Sequence, residues 1–150
     1  MTKLIRENLT IFKERVGRLE PDAVPRWGRM DAELMVRHLR RALEISLGEV
    51  EVPDRSIPGL RTILRVLFFQ VFTIWPPSIS RVPDYWLPPP EGGLSVERDQ
   101  LVRALERFVE LLEEQPGSKS VHSILGQLTL RSWSQVHGVH FAHHFRQFRV

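Results

Sequence analysis

Four histidines lie within eight residues near the end of the chain, in the run HGVHFAHHFRQF. On a helix with about 100° per residue, His137, His140 and His144 share one arc, whereas His143 points to the other side of His140. His140 and His144 are four residues apart, so their rings can reach one metal ion while the helix stays regular. Because imidazole suits zinc, nickel, copper and iron, this spacing indicates a metal site.

A third ligand must come from another part of the chain. His38 is the natural candidate, because it lies in an apolar stripe between Leu34 and Ala42, where a polar side chain facing the core needs a partner. The chain has no cysteine, which excludes a thiolate ligand or nucleophile. Three histidines would leave coordination positions open for water or substrate. The alternatives are a hydrogen-bonded core histidine at 38 and a partly solvated histidine face on the last helix.

Amphipathic helices must position these side chains, and the sequence shows no strand ladder. Apolar residues recur close to the 3.6-residue period in four segments. Cap and stop residues give the boundaries: residues 4–19, a second helix that Asp31 caps and Gly48 ends, a third that Ser95 caps and that runs to 115, and a last that Thr129 caps and that runs to about 148.

The middle of the chain differs from the rest. Residues 58–75 form an apolar segment that predicts an inserted helix, and the six prolines of residues 76–93 predict a long loop. Four amphipathic stripes must face one another to leave water. We therefore expect an all-α, four-helix bundle with an extra short helix and a long Pro-rich loop between the second and third bundle helices, as a single domain over residues 1–150.

Composition argues against several classes of protein. The 21 basic residues are interleaved with 18 acidic ones and form no basic run, so we expect no nucleic-acid partner. The longest apolar stretch, residues 63–75, is too short for a membrane span and contains Arg65 and Gln70, although an amphipathic helix on a membrane surface stays an alternative. The charged first helix does not read as a signal peptide, which predicts a cytoplasmic protein.

Two blocks of sequence carry a family resemblance: PRWGRMDAELMVRHL at 25–39 and ILGQLTLRSWSQVHGVHFAHHFRQF at 124–148, with WPPSISRVPDYW as a weaker middle block. A histidine on the second helix with a last helix reading HxxHHxxQ resembles the DinB/YfiT-like superfamily of metal-binding four-helix bundles. More closely, the chain resembles a bacterial branch of that superfamily of unknown function. The resemblance implies a DinB-like fold, a homodimer, and a divalent metal (zinc, nickel or iron) held by His38, His140 and His144.

The resemblance leaves two functions open. Some members resemble thiol-dependent transferases, in which the metal lowers the pKa of bacillithiol or mycothiol, and others resemble metal-dependent hydrolases. A low-molecular-weight thiol or water would then occupy the open position, with Glu33, Glu44 and Asp84 equally plausible as general base. The alternative is a non-catalytic, stress-associated binding or dimerisation module with a structural or vestigial metal. Its partner surface would be the aromatic cluster Phe68, Phe69, Phe72 and Trp75, for which core packing is the competing interpretation.

The remaining polar and aromatic residues receive weaker assignments. His137 and Gln147 are expected to lie beside the metal and to contact its ligands without binding it, and His143 is expected to be exposed or to contact a partner. The branch pattern has His-Pro before Phe-Gly in the final connection, where this chain has Val121-His122-Ser123 and Ile124-Leu125-Gly126, so the resemblance assigns His122 no role. The tryptophans could line a pocket or pack in the core: Trp27, Trp86 and Trp133.

Overall fold

A computed structural model of the chain describes residues 3–71, 87, 89–90 and 92–150. These residues form mostly helix, with one small sheet. The elements are α1 (Arg6–Gly17), α2 (Ala32–Ser46), α3 (Pro58–Val66), a π-helical turn (Leu67–Val71), α4 (Leu94–Glu114), β1 (Lys119–His122), β2 (Gly126–Thr129) and α5 (Leu130–Phe148). No helix in the described ranges is long and apolar enough to cross a membrane.

Side-chain caps begin the two helices that carry the histidines. The Asp31 carboxylate accepts a hydrogen bond from the Leu34 amide at 2.7 Å, and the Thr129 hydroxyl accepts one from the Ser132 amide at 3.2 Å. Both caps were predicted and both are confirmed. The prediction that Ser95 caps the third helix is wrong. This helix, α4, begins at Leu94, and Gly93 occupies the N-cap position with φ 87°. A left-handed glycine starts this helix, so no capping side chain marks the start in the sequence.

The expectation of no strands is also wrong. β1 and β2 pair as an antiparallel hairpin, in register from Lys119 opposite Thr129 to His122 opposite Gly126. The His122 ring closes the turn, because its Nδ1 accepts the backbone N–H groups of Ile124 at 3.2 Å and Leu125 at 3.1 Å. Each strand has only four residues, so the alternation that would reveal a strand covers two residues on each face.

Ion pairs show that α2 and α4 run in the same direction. Arg40 in α2 pairs with Glu97, near the start of α4, at 3.1 Å. Glu49, just beyond the end of α2, pairs with Arg107 further along α4 at 2.9 Å. The two helices pack against each other along their length, and both also contact α5.

Helices α1 and α5 run the opposite way. Two ion pairs set α1 antiparallel to α4: Arg6–Glu113 and Lys13–Glu106. Beside α5, the Leu4 amide donates to the Ser134 carbonyl at 3.0 Å, and the Phe12 ring meets the Phe141 ring at 5.3 Å between centroids. Because the contacts follow the same order along both helices, α1 and α5 are parallel. The apolar stripes of α1, α2, α4 and α5 share one core cluster.

The inserted helix lies on the hairpin. Arg65 of α3 donates from Nε to the Leu125 carbonyl at 2.9 Å and also donates to the Gln127 carbonyl. Phe68 is 4% exposed within the core, and Phe69 packs against that core, so these two aromatics do not form the predicted partner surface. The exposed apolar residues of α3 are instead Leu60, Ile63 and Val66. Outside the described residues lie Phe72, Trp75, Asp84, Trp86 and most of the predicted loop.

Candidate metal centre

Three histidines from two helices meet at one point. His38 comes from α2, whereas His140 and His144 come from adjacent turns of α5. The Nε2 atom of His140 is 2.7 Å from Nε2 of His38 and 3.2 Å from Nε2 of His144. One nitrogen from each ring lies within 4.8 Å of the other two. The i, i+4 spacing and the packing of α2 on α5 thus bring together the three residues that the sequence singled out.

The spacing of the nitrogens fits a metal ion. Zinc binds imidazole nitrogen at about 2.0–2.1 Å, so two nitrogens in a tetrahedral zinc site lie ~3.3 Å apart. The distances from His140 to its two neighbours are 2.7 and 3.2 Å, so small rotations of the rings would bring all three nitrogens to coordination distance. Imidazole is a ligand for zinc, nickel and iron alike. The cluster could therefore hold a divalent metal ion.

Burial keeps these rings uncharged. Loss of solvent, with a smaller contribution from the nearby His143, lowers the pKa of His38 to about 4. The pKa values of His140 and His144 are also far below the usual range, chiefly because both rings are buried and secondly because neighbouring imidazoles disfavour a second positive charge. The neutral ring is the form that binds a metal. At neutral pH the three rings therefore need not release a proton before they bind a metal ion.

Hydrogen bonds fix the outer side of His144. Its Nδ1 lies 2.8 Å from Oε1 of Gln147, whose Nε2 donates to the Trp27 carbonyl at 2.8 Å. The Arg26 amide donates to the Gln147 carbonyl, also at 2.8 Å. The chain before α2 is thereby fastened to the last turn of α5, next to the histidines. The sequence indicated Gln147, but gave no sign that a backbone carbonyl would be its partner.

Residues 3–150 match the model of the family described as Protein of unknown function (DUF1569). The chain belongs to DUF1569. No curated protein and no solved structure matches it.

Two further histidines of this DUF1569 member lie beside the centre. His137 is fully buried, with Nε2 2.9 Å from the Ser46 hydroxyl and its ring stacked on Trp133 at 5.4 Å. Burial, with a smaller effect of His122, lowers the pKa of His137 to about 3. Since its Nε2 bonds to Ser46, His137 is not one of the three convergent histidines.

His143 contradicts the expectation of exposure. Only 8% of its surface is exposed, and its ring lies edge-on to Trp27 at 5.6 Å and to His144 at 5.0 Å. The physical reason is the segment before α2, which covers the side of α5 that the helical pattern left towards solvent. Trp27 is half-buried in this DUF1569 chain, so it forms a wall beside the centre, whereas Trp133 belongs to the core.

Two of the three candidate general bases are engaged elsewhere, and the third, Asp84, lies outside the described residues. Glu44 pairs with Arg40 at 3.1 Å and with Arg41 at 3.0 Å, and Glu33 lies 3.8 Å from Arg37. Neither carboxylate belongs to the convergent group of this DUF1569 protein. Burial lowers the pKa of His122 to about 4, and its ring serves the hairpin turn. In the described ranges, the chemistry is therefore concentrated on the three histidines.

Proposed function

We propose that this protein binds one divalent metal ion through His38, His140 and His144, with a water or thiol ligand completing the coordination. The observation that carries the proposal is the convergence of three buried Nε2 atoms, two of them 2.7 and 3.2 Å from that of His140. Neutral imidazole nitrogens bind zinc, nickel and iron, so three that converge in this way form a donor set for one ion.

The proposed architecture is one DinB-like four-helix bundle domain. Its support is the shared core of α1, α2, α4 and α5, with α1 and α5 parallel and α2 and α4 running the opposite way. Such a bundle needs one long crossover between its second and third helices, and residues 47–93 separate α2 from α4. Metal sites in bundles are built from facing helices, as the pairing of α2 with α5 would provide here.

The proposed activity is that of a thiol-dependent transferase or a metal-dependent hydrolase. Three neutral imidazoles leave an ion with its full charge, which favours an anionic ligand in the open position. When bound, the ion would lower the pKa of a water or of a low-molecular-weight thiol such as bacillithiol or mycothiol. The chain itself contributes orientation and exclusion of water, because His38 and His144 are buried and the wall at Trp27 flanks the centre.

A second candidate function is a non-catalytic module that forms homodimers and keeps a structural metal. One observation favours it: three apolar residues of α3, Leu60, Ile63 and Val66, are 46–58% exposed. Exposed apolar faces on a helix often mark protein–protein contacts. The two candidates differ in the coordination of the ion, since a structural site is closed by protein ligands and a catalytic site keeps an open position.

Metal analysis tests the binding step. Untagged protein purified without chelator should hold about one zinc, nickel or iron per chain, because three ligands are present. His38→Ala and His140→Ala/His144→Ala should lose the metal while helical circular dichroism persists. His122→Ala is the matched control, since it removes a half-buried histidine outside the group. Wild-type protein that takes up no metal even with added divalent ions would refute the site.

Cobalt substitution separates the two candidate functions. The visible spectrum of Co²⁺ reports the number and type of its ligands, so it can be followed while a low-molecular-weight thiol is added. A new thiolate charge-transfer band would show an open position and support transferase chemistry. An unchanged spectrum at millimolar thiol would favour the structural metal of the dimerisation module.

A further inference from the structure

Gln147 holds two neighbours with the two ends of its side-chain amide. The side chain is buried in the last turn of α5. Its Nε2 is 2.8 Å from the Trp27 carbonyl oxygen, and its Oε1 is 2.8 Å from Nδ1 of His144. A carbonyl oxygen can only accept hydrogen bonds, so the amide NH2 must face Trp27. The orientation of the amide then follows: its oxygen faces His144.

This orientation selects the tautomer of His144. Because Oε1 of Gln147 can only accept, Nδ1 of His144 must carry the hydrogen. A neutral imidazole has one N–H, so Nε2 is left with a lone pair, and Nε2 is the atom that lies 3.2 Å from His140 in the cluster. A lone pair directed into the cluster is what metal coordination requires. The opposite tautomer would direct a hydrogen at the metal position.

Backbone groups prevent the amide from turning over. The Arg26 amide donates to the main-chain carbonyl of Gln147 at 2.8 Å, which fixes segment 26–28 against α5. Gly28 has φ 80°, and a Cβ at that position would lie 3.2 Å from Nε2 of Gln147. Turning the amide over would put its oxygen against the Trp27 carbonyl and its NH2 against the N–H of His144. Both contacts would be repulsive.

We infer that Gln147 is a positioning residue that holds His144 in the Nδ1–H tautomer, and that the Trp27 carbonyl fixes Gln147 for this purpose. The inference rests on the proposed function, because it assigns His144 as a metal ligand. It also gives the segment before α2 a role at the centre, since a backbone carbonyl of that segment determines which nitrogen of His144 faces the ion.

Two substitutions separate the two bonds of Gln147. Gln147→Glu keeps an acceptor towards His144, whether or not the carboxyl is protonated, but loses the amide donor to Trp27. Gln147→Leu has a similar volume and loses both. Long-range ¹H–¹⁵N NMR of the metal-free proteins identifies the tautomer of His144 directly. We expect Nδ1–H in wild type and in Gln147→Glu, and a substantial population of Nε2–H in Gln147→Leu.

Metal affinity gives the second readout. Loss of a hydrogen-bond partner of a metal ligand typically weakens metal binding by ~10–100-fold. The affinity of Gln147→Leu for zinc should therefore be lower than that of wild type by ~10–100-fold. Gln147→Glu should stay within a few-fold of wild type. A role in folding alone would lower the melting temperature of both variants without changing the tautomer, so equal affinities with an unchanged tautomer would overturn the inference.

The outcomes distinguish this inference from the proposed function. Wild-type protein with His144 in the Nε2–H tautomer would overturn the inference without any variant, so the test survives if Gln147→Leu fails to fold. Wild-type protein that binds no zinc would refute the metal site itself. Zinc binding in wild type together with full affinity in Gln147→Leu would leave the metal site standing and overturn the role of Gln147.

Discussion

Acid should destabilise this protein through His137, which is buried among aromatic rings and an uncharged hydroxyl. Its ring packs between Trp133 and Phe108, and its Nε2 bonds to Ser46. In the described part of the chain, the titratable groups that interact with it are two other histidines, His122 and His140. Burial lowers the pKa of His137 from 6.5 to about 3 in the folded protein. The unfolded chain therefore binds a proton at a pH where the folded protein does not.

The direction and size of the effect follow from those two values. Between pH 6.5 and pH 3 the unfolded state holds more protons, so the free energy of unfolding falls as the pH is lowered through this window. One pKa unit corresponds to 1.36 kcal/mol, so the full contribution of His137 is about 5 kcal/mol below pH 3. From pH 7.5 to pH 5 its share is about 2 kcal/mol, because the unfolded ring is then almost fully protonated.

Denaturant unfolding followed by circular dichroism measures this share. Wild type and His137→Gln are compared at pH 7.5 and pH 5, with chelator present so that loss of metal does not contribute. Between pH 7.5 and pH 5, the free energy of unfolding should fall by about 2 kcal/mol less in the variant than in wild type. Ser46→Ala is the control, since it removes the hydrogen-bond partner but keeps the titrating ring. If the free energy of unfolding falls by the same amount in His137→Gln and in wild type, the conclusion that His137 is buried in the neutral form is wrong.

Two further predictions concern backbone and charge. Gly28→Ala should cost more stability than Gly48→Ala in denaturant unfolding: both glycines have φ near 80°, which costs an alanine about 1–2 kcal/mol, but only at Gly28 does the Cβ crowd Gln147. Equal losses would contradict the close contact. Glu97→Gln should cost about 3 kcal/mol, because it leaves the buried Arg40 guanidinium under-compensated, and Arg40→Met/Glu97→Met should recover most of that loss. No recovery would contradict the desolvation argument.

His140 and His144 could be predicted as a pair because their relation is local. A helix fixes the angle between His140 and His144 from their spacing alone, and the Thr129 cap marks where that helix begins. His38 could be found because a polar residue in an apolar stripe needs a partner in the core. What these rules leave open is the meeting of α2 and α5, which depends on the packing of the whole core.

The parts that could not be predicted depend on contacts between distant residues. The partner of Gln147 is the carbonyl of Trp27, 120 positions away, and every residue has such a carbonyl, so no residue type marks it. His143 is buried because segment 26–28 lies over it, which its own helical pattern does not reveal. The hairpin could not be predicted for a different reason, since two strands of four residues are too short for a periodic signal.

Burying the rings of His38, His140 and His144 costs stability that apolar side chains at the same positions would not cost, because their ring nitrogens lose hydration by water. A ligand that binds only the folded protein reverses this cost, and at 100 times its Kd it adds about 2.7 kcal/mol. The arrangement is therefore understandable as a site that is costly alone and stable when loaded. On this reasoning, zinc should raise the melting temperature of wild type and leave that of His140→Ala/His144→Ala unchanged.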